Sequence, residues 1–153
     1  MAFVGEIKKR TYIHGGLSVD TPSGMAVKDN GGHPHVIDPS RVHEVVELVA
    51  RWDRAYVIDD WLCDNLEYGF WDTDCTYVVI LPEEIMTLYR LCKEVVDDNS
   101  LLHSNFPQVY DYLRHERTEE DIIKEIELTK DSLEPILDEL EDADVHWTYE
   151  REF

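Results

Sequence analysis

Thr76-Tyr77-Val78-Val79-Ile80-Leu81-Pro82-Glu83-Glu84 is the stretch that decides the fold class. Its first six residues are a short, continuous run of β-branched, aromatic and aliphatic side chains, the pattern of a strand buried on both faces. Pro82 then suits the first position of a helix, where a missing N–H would be unpaired in any case. Glu83 and Glu84 oppose the positive end of the helix dipole. Ile85, Leu88, Cys92, Val95 and Val96 follow at spacings that place them on one helical face, and Asp97-Asp98-Asn99-Ser100 stops the run. A buried strand feeding an amphipathic helix predicts a domain of mixed α+β class.

Working outward, Ile122, Ile126, Thr129, Leu133, Ile136, Leu137 and Leu140 share one face of a helical region that opens at Thr118 and is kinked by Pro135. Split near Thr129-Lys130-Asp131, the same stretch would imitate a helix-turn-helix. Glu134, Asp138 and Glu139 on its second helix would repel phosphate, which argues against that reading. Val145-His146-Trp147-Thr148-Tyr149 alternates and predicts a last strand. Upstream, Asp38-Pro39-Ser40 resembles a helix entry, and Val42, Val45, Val49, Trp52 and Tyr56 recur at spacings of three and four. The stripe continues loosely through Ile58, Trp61 and Leu62, so one long helix is expected, ending near Gly69. Residues 1–37 are β- and turn-rich, with β-formers at 3–7, 11–13, 25–27 and 35–37 between Gly, Pro and Asn clusters. The expected architecture is a single domain over residues 1–153, a small antiparallel sheet packed against three or four helices. Residues 38–153 would form its helical core, with strands near 76–81 and 145–149.

A chain of 153 residues suits one hydrophobic core. No apolar run reaches the ~20 residues a membrane span needs, and residues 1–10 lack the pattern of a signal peptide. Cys63, Cys75 and Cys92 are odd in number and have no CxxC spacing, so no disulfide framework and a reducing cytoplasm are expected. The net charge of −20 is unevenly spread: residues 1–39 hold four acids and four bases, whereas residues 118–153 hold fourteen acids and three bases. Clustered Lys and Arg are what phosphate binding requires, so direct contact with nucleic acid is disfavoured. An acidic surface favours a basic protein partner and fast electrostatic encounter, and it also serves solubility.

The segment Trp52-Asp53-Arg54-Ala55-Tyr56-Val57-Ile58-Asp59-Asp60-Trp61-Leu62 resembles a recurrent stretch of an uncharacterised family of small phage and prophage proteins. In that family an aromatic-rich helix precedes an Asp-Cys turn, a tyrosine-rich strand and a helix containing Leu-Cys-Lys. The counterparts here are Thr73-Asp74-Cys75, Tyr77-Val78-Val79 and Leu91-Cys92-Lys93, and the resemblance is best over residues 36–98. It implies a setting rather than a chemistry: a viral or prophage accessory protein in the host cytoplasm. Through that setting it implies an inhibitor of a host defence or nucleic-acid-processing protein, such as a restriction or CRISPR effector.

Asp59, Asp60, Asp64, Asp72 and Asp74 form the first acidic cluster, with Asp60 and Asp64 one helical turn apart. Tyr68, Phe70 and Trp71 surround Gly69 and suit an aromatic anchor. Glu134, Asp138, Glu139, Glu141 and Asp142 supply the second acidic cluster. Together these residues define the expected partner-binding set, with carboxylates standing where the phosphates of DNA would stand. Trp52 and Trp61 are assigned to the core, and Cys75 and Cys92 read as small core residues rather than nucleophiles. His33-Pro34-His35 with His14 and Asp38 has zinc-like donors but no fixed geometry or committed fourth ligand. The expectation is a non-enzymatic binder with no catalytic residues, metal or cofactor. The alternatives are a nucleotide-binding or sequestering protein using Arg10, Tyr12, Lys28, Arg51 and Arg54, a metal-dependent hydrolase built on the aspartates, and a structural virion protein.

Overall fold

The computed structural model describes residues 4–14, 25–28, 34–37, 42–67, 77–112 and 117–152. Its strands are β1 (Val4–Tyr12), β2 (Met25–Lys28), β3 (Pro34–Ile37), β4 (Glu44–Asp53), β5 (Tyr77–Ile80) and β6 (Val145–Glu152). Its helices are α1 (Tyr56–Asn65), α2 (Pro82–Asp97), α3 (Leu102–Asn105), α4 (Val109–Tyr112) and α5 (Glu119–Leu133). Four strands form an antiparallel sheet in the order β4-β1-β6-β5, and β2 and β3 pair antiparallel as a separate two-stranded unit. The α+β architecture is the expected one.

Alternation along the strands decides which face is buried. Ile7, Ala50, Trp52, Val78, Ile80, Trp147 and Tyr149 turn inward and share one core with α1, α2 and α5. The opposite face carries Glu6, Lys8 and Arg10 of β1 in a ladder of cross-strand ion pairs. Arg51 Nη1 and Lys8 Nζ each lie 3.0 Å from Glu6, Lys8 and Arg10 share Glu150, and Arg10 Nη1 reaches Glu44 at 2.8 Å. Arg10 also donates to Thr148 Oγ1 (3.2 Å) and lies over the Tyr77 ring. The bases of the first strand are thus consumed by neighbouring strands.

The helix termini follow from their sequences. Pro82 starts α2, and Glu84 accepts from the Leu81 N–H (2.7 Å) and from the Glu67 N–H (2.6 Å), which ties the end of α1 to the start of α2. Thr118 and Asp121 form a reciprocal capping box at α5. At Pro135 the backbone loses a donor, and the chain passes from α5 into a 3-10 segment, Glu134–Glu139.

The single long helix expected from Asp38 onward is not formed. Residues 44–53 are an edge strand, and only Tyr56–Asn65 is helical; Asp38, Pro39, Ser40 and Gly69 lie outside the described residues. The physical reason is a bulge. Ile7 pairs with Ala50 but Lys8 pairs with Leu48, so Val49 is an extra residue in β4. A bulge shifts the inward–outward alternation by one position. Val49 and Trp52 therefore both pack on the core at an interval of three, with Val45 half-buried four residues earlier, a helical spacing produced by an irregular strand. The change from β4 to α1 is abrupt. Arg54 has φ 61°, the left-handed region. Ala55 (φ −79°, ψ 67°) is the centre of an inverse γ-turn closed by Tyr56 N–H to Arg54 O at 2.9 Å.

Candidate functional site

The expected partner-binding residues fall into three groups. Tyr68, Phe70, Trp71, Asp72 and Asp74, together with Cys75, lie outside the described residues. Asp60 and Asp64 are on α1, where Asp64 is exposed and accepts from Gln108 Nε2 at 2.9 Å. Asp59 does not belong on an interaction surface. Only 7% of it is exposed, its Oδ1 accepts from Tyr149 Oη at 2.7 Å, and Arg151 Nε sits 3.2 Å away. The helical period explains the correction: Val57, Ile58, Trp61 and Leu62 define the inner face, and Asp59 lies at its edge and is carried in beside them.

The C-terminal acids are displayed differently. Glu134, Asp138, Glu139, Glu141 and Asp142 are all exposed, as is Asp144. They ride on the 3-10 segment and the turn after it, which Ile136 and Leu140 anchor in the core. Glu139 pairs with Lys9 (3.1 Å), Glu134 with Lys130 (3.6 Å), and Asp144 with His14 (2.7 Å). Asp138 and Glu141 have no ion-pair partner among the described residues. The segment is a fixed, strongly negative ridge with few compensating cations.

Two buried polar constellations were not expected from the sequence, which placed Asp59 on the surface and did not single out Glu125. The first is the Asp59 site. Tyr149 and Arg151 reach it from β6, and Arg151 Nη2 also contacts Cys63 Sγ at 2.8 Å. Burial raises the Asp59 carboxyl above its ordinary value against the pull of Tyr149 and Arg151. Burial and the adjacent Asp59 push the Cys63 thiol up to about 11, so it is a poor nucleophile at neutral pH. Gly5 belongs to this site because a Cβ there would stand 2.6 Å from Tyr149 Oη.

The second constellation is Glu125 on α5, only 7% exposed. Its Oε1 lies 3.4 Å from Arg117 Nη1, and its Oε2 is buried with no hydrogen-bond partner. Arg117 also donates to Arg54 O (2.8 Å), clipping the left-handed turn to the start of α5. Trp52 Nε1 donates to Thr129 Oγ1 (2.9 Å), whose hydroxyl donates to Glu125 O (2.8 Å). The only sequence signal for Glu125 was position: it lies three residues after Ile122 and four before Thr129, on the edge of the apolar stripe.

Burial pushes the Glu125 carboxyl up to about 7, with Arg117 opposing and Asp59 and Asp60 reinforcing the shift. Between its unfolded value near 4.5 and about 7 the folded chain holds a proton that the unfolded chain has released. Stability therefore falls as pH rises through that window, at a limiting slope of about 1.4 kcal/mol per pH unit. Denaturant titrations from mild acid to slightly alkaline pH should show this decline, and Glu125→Gln should flatten it. An unchanged slope in the variant would assign the effect to other groups.

Among the described residues no cluster of three or more His, Cys, Asp or Glu could hold a metal ion. His14 is instead bonded to Asp144, while His33 and Asp38 lie outside the described residues. Trp52 and Trp61 are buried, and Cys92 is fully enclosed with its thiol raised by burial, as core assignments require. No helix among the described residues is long and apolar enough to cross a membrane. No protein-family model, curated protein or solved structure matches the chain.

Proposed function

We propose that this protein is an acidic binder that docks on a basic surface of a partner protein and blocks it. The observation that carries the reading is the ridge over residues 134–144, where six carboxylates are exposed on a segment fixed to the core by Ile136 and Leu140. Carboxylates held on a rigid element meet a cationic surface without a large ordering cost, as electrostatic complementarity requires. The resemblance to small phage and prophage proteins supplies the setting: inhibition of a host defence or nucleic-acid-processing protein, with the ridge in the place of a DNA backbone. A nucleotide-binding reading would need free cations, but Arg10 and Arg51 are already engaged by Glu44, Glu150 and Glu6. A hydrolase reading would use aspartates of which Asp59 is buried and bonded.

The test compares the native chain with a variant in which Glu134, Asp138, Glu139, Glu141 and Asp142 become Gln or Asn. Both are used as bait in bacterial lysate and the retained proteins are identified. The expected result is retention of a basic, nucleic-acid-binding protein by the native chain at low salt, its release near ~1 M salt, where the screening length is ~3 Å, and association at least ~10-fold weaker for the variant. Equal retention by both chains, or retention indifferent to salt, would remove the proposal.

A further inference from the structure

β4 lies at one end of the sheet order, so among the described residues only β1 pairs with it. One bond fixes the direction of its unused backbone groups. Ile13 N–H donates to His43 O at 2.8 Å, which continues the β1–β4 register and makes residues 13 and 43 a hydrogen-bonded pair. Alternation then directs the backbone of Val45 and Glu47 at β1, and that of Glu44, Val46 and Leu48 away from it. No described residue bonds to these three outward N–H groups or to their carbonyls.

The sheet edge is open at these positions. Leu48 is 56% exposed and Val46 46%, and Glu44 and Glu47 are exposed as well. Edge strands are commonly blunted by lysine, proline or a bulge. Residues 44–48 contain no lysine or proline, and the bulge comes only at Val49, where it ends the regular run. We propose that residues 44–48 receive an extended basic segment of a partner protein as a fifth strand of the sheet. This rests on the reading of the ridge as a dock for a basic partner, and it adds the backbone contact that accompanies docking.

Charge selects the occupant. Among the described residues Glu47 has one cation near it, Lys9 at 3.6 Å, and Glu139 of the ridge holds that lysine closer, at 3.1 Å. Lys9 thus links the edge of β4 to the ridge, and the side chain set opposite Glu47 should be lysine or arginine. On the other face Val46 and Leu48 lie opposite Arg10 and Lys8, which repel further cations and favour apolar contact. The occupant therefore alternates basic and apolar residues. A second copy of this chain is disfavoured, because each copy carries −20 and residues 44–48 hold two glutamates and no base.

The probe is a heptapeptide of alternating lysine and valine, blocked at both ends, titrated into the intact chain and followed by NMR and amide hydrogen exchange. In the free chain the amides of Glu44, Val46 and Leu48 should exchange fast and those of Val45 and Glu47 slowly. The peptide should shift the outward three saturably and slow their exchange, and glutamate in place of its lysines should weaken binding at least ~10-fold. Val46→Pro removes an outward donor and spares the β1 pairing, so the fold should persist while affinity falls on the order of tenfold. Two N-methylated peptides, modified on the valines or on the lysines, probe the same bonds without altering the protein, and at least one should bind ~10-fold more weakly. Slow exchange of the outward amides in dilute free protein would show the edge already covered and overturn the proposal. Edge binding equal for the lysine and glutamate peptides would overturn the basic occupant. Protection that grows with protein concentration alone would assign the edge to a second copy instead. Shifts confined to residues 134–144 and indifferent to N-methylation would overturn the edge and leave the ridge standing. The ridge reading fails separately, when neutralising its five acids leaves retention of a basic protein unchanged.

Discussion

Replacing Gly5 by alanine should destabilise the protein by about 3 kcal/mol, read as a fall in the denaturant midpoint at unchanged slope. The sign is opposite to the usual one, since alanine in place of glycine within a strand ordinarily adds about 0.5–1 kcal/mol. The reason is the Tyr149 side chain, which lies across β1 at Gly5. A Cβ would meet its Oη at 2.6 Å, Cε2 at 3.1 Å and Cζ at 3.3 Å. The ring cannot swing away. It is 1% exposed, meets Trp52 edge-on at 6.5 Å, and its hydroxyl is bonded to Asp59. Alanine must therefore either strain the ring or break that hydrogen bond. Tyr149→Phe removes the closest atom, so Gly5→Ala should cost less in that background than in the native chain. Equal costs in the two backgrounds would show that the hydroxyl is not the obstacle.

The second large effect is expected at Arg151. Changing it to methionine preserves most of the side chain's length but leaves Asp59 buried without its cation, a loss of about 3–5 kcal/mol. The contact to Cys63 Sγ disappears as well. Asp59→Asn in the same chain should restore most of the stability, because it is the uncompensated charge that costs energy. The pH dependence distinguishes this account from simple loss of packing. The Asp59 carboxyl is already raised by burial, and without Arg151 it rises further. A folded value above the unfolded one means that the folded chain retains the proton longer. Arg151→Met should therefore be least impaired in mild acid and lose stability as pH rises through the Asp59 titration. A deficit that is constant with pH would contradict the charge argument.

These residues also show what could be read from the sequence. The strand at Tyr77–Ile80, the helix opened by Pro82 and the last strand were legible, but the strand read as buried on both faces is an edge strand with Tyr77 exposed, and the helix expected to kink at Pro135 and run on to Leu140 gives way after Leu133 to a 3-10 segment. The edge strand Glu44–Asp53 was not legible, because the extra Val49 gives a period-two element a helical spacing. The exposed carboxylates of the 3-10 segment follow from composition and from Pro135. The Asp59 and Glu125 sites do not: a carboxylate two residues from a tryptophan or three from an isoleucine looks the same in sequence whether it faces solvent or a buried arginine. Arg151 is 92 residues from Asp59, and only the register of β6 against β1 brings them together, while Arg117, eight residues before Glu125, is set against it by the clip to Arg54 at the start of α5.

The strand order has a consequence for synthesis. Residues 145–152 leave the ribosome after every other element described, yet they occupy an inner position between β1 and β5. Until they emerge, the nascent sheet exists as the β1–β4 pair and a lone β5, with no Trp147 or Tyr149 to fill the space beneath α1 and α2. Pairings that join residue 4 to residue 152 close very long loops, which slows folding and keeps apolar surface uncovered in the meantime. The acidic stretch just ahead of β6 gives this unfinished intermediate a strong self-repelling charge, and so protection from aggregation while it waits for its last strand.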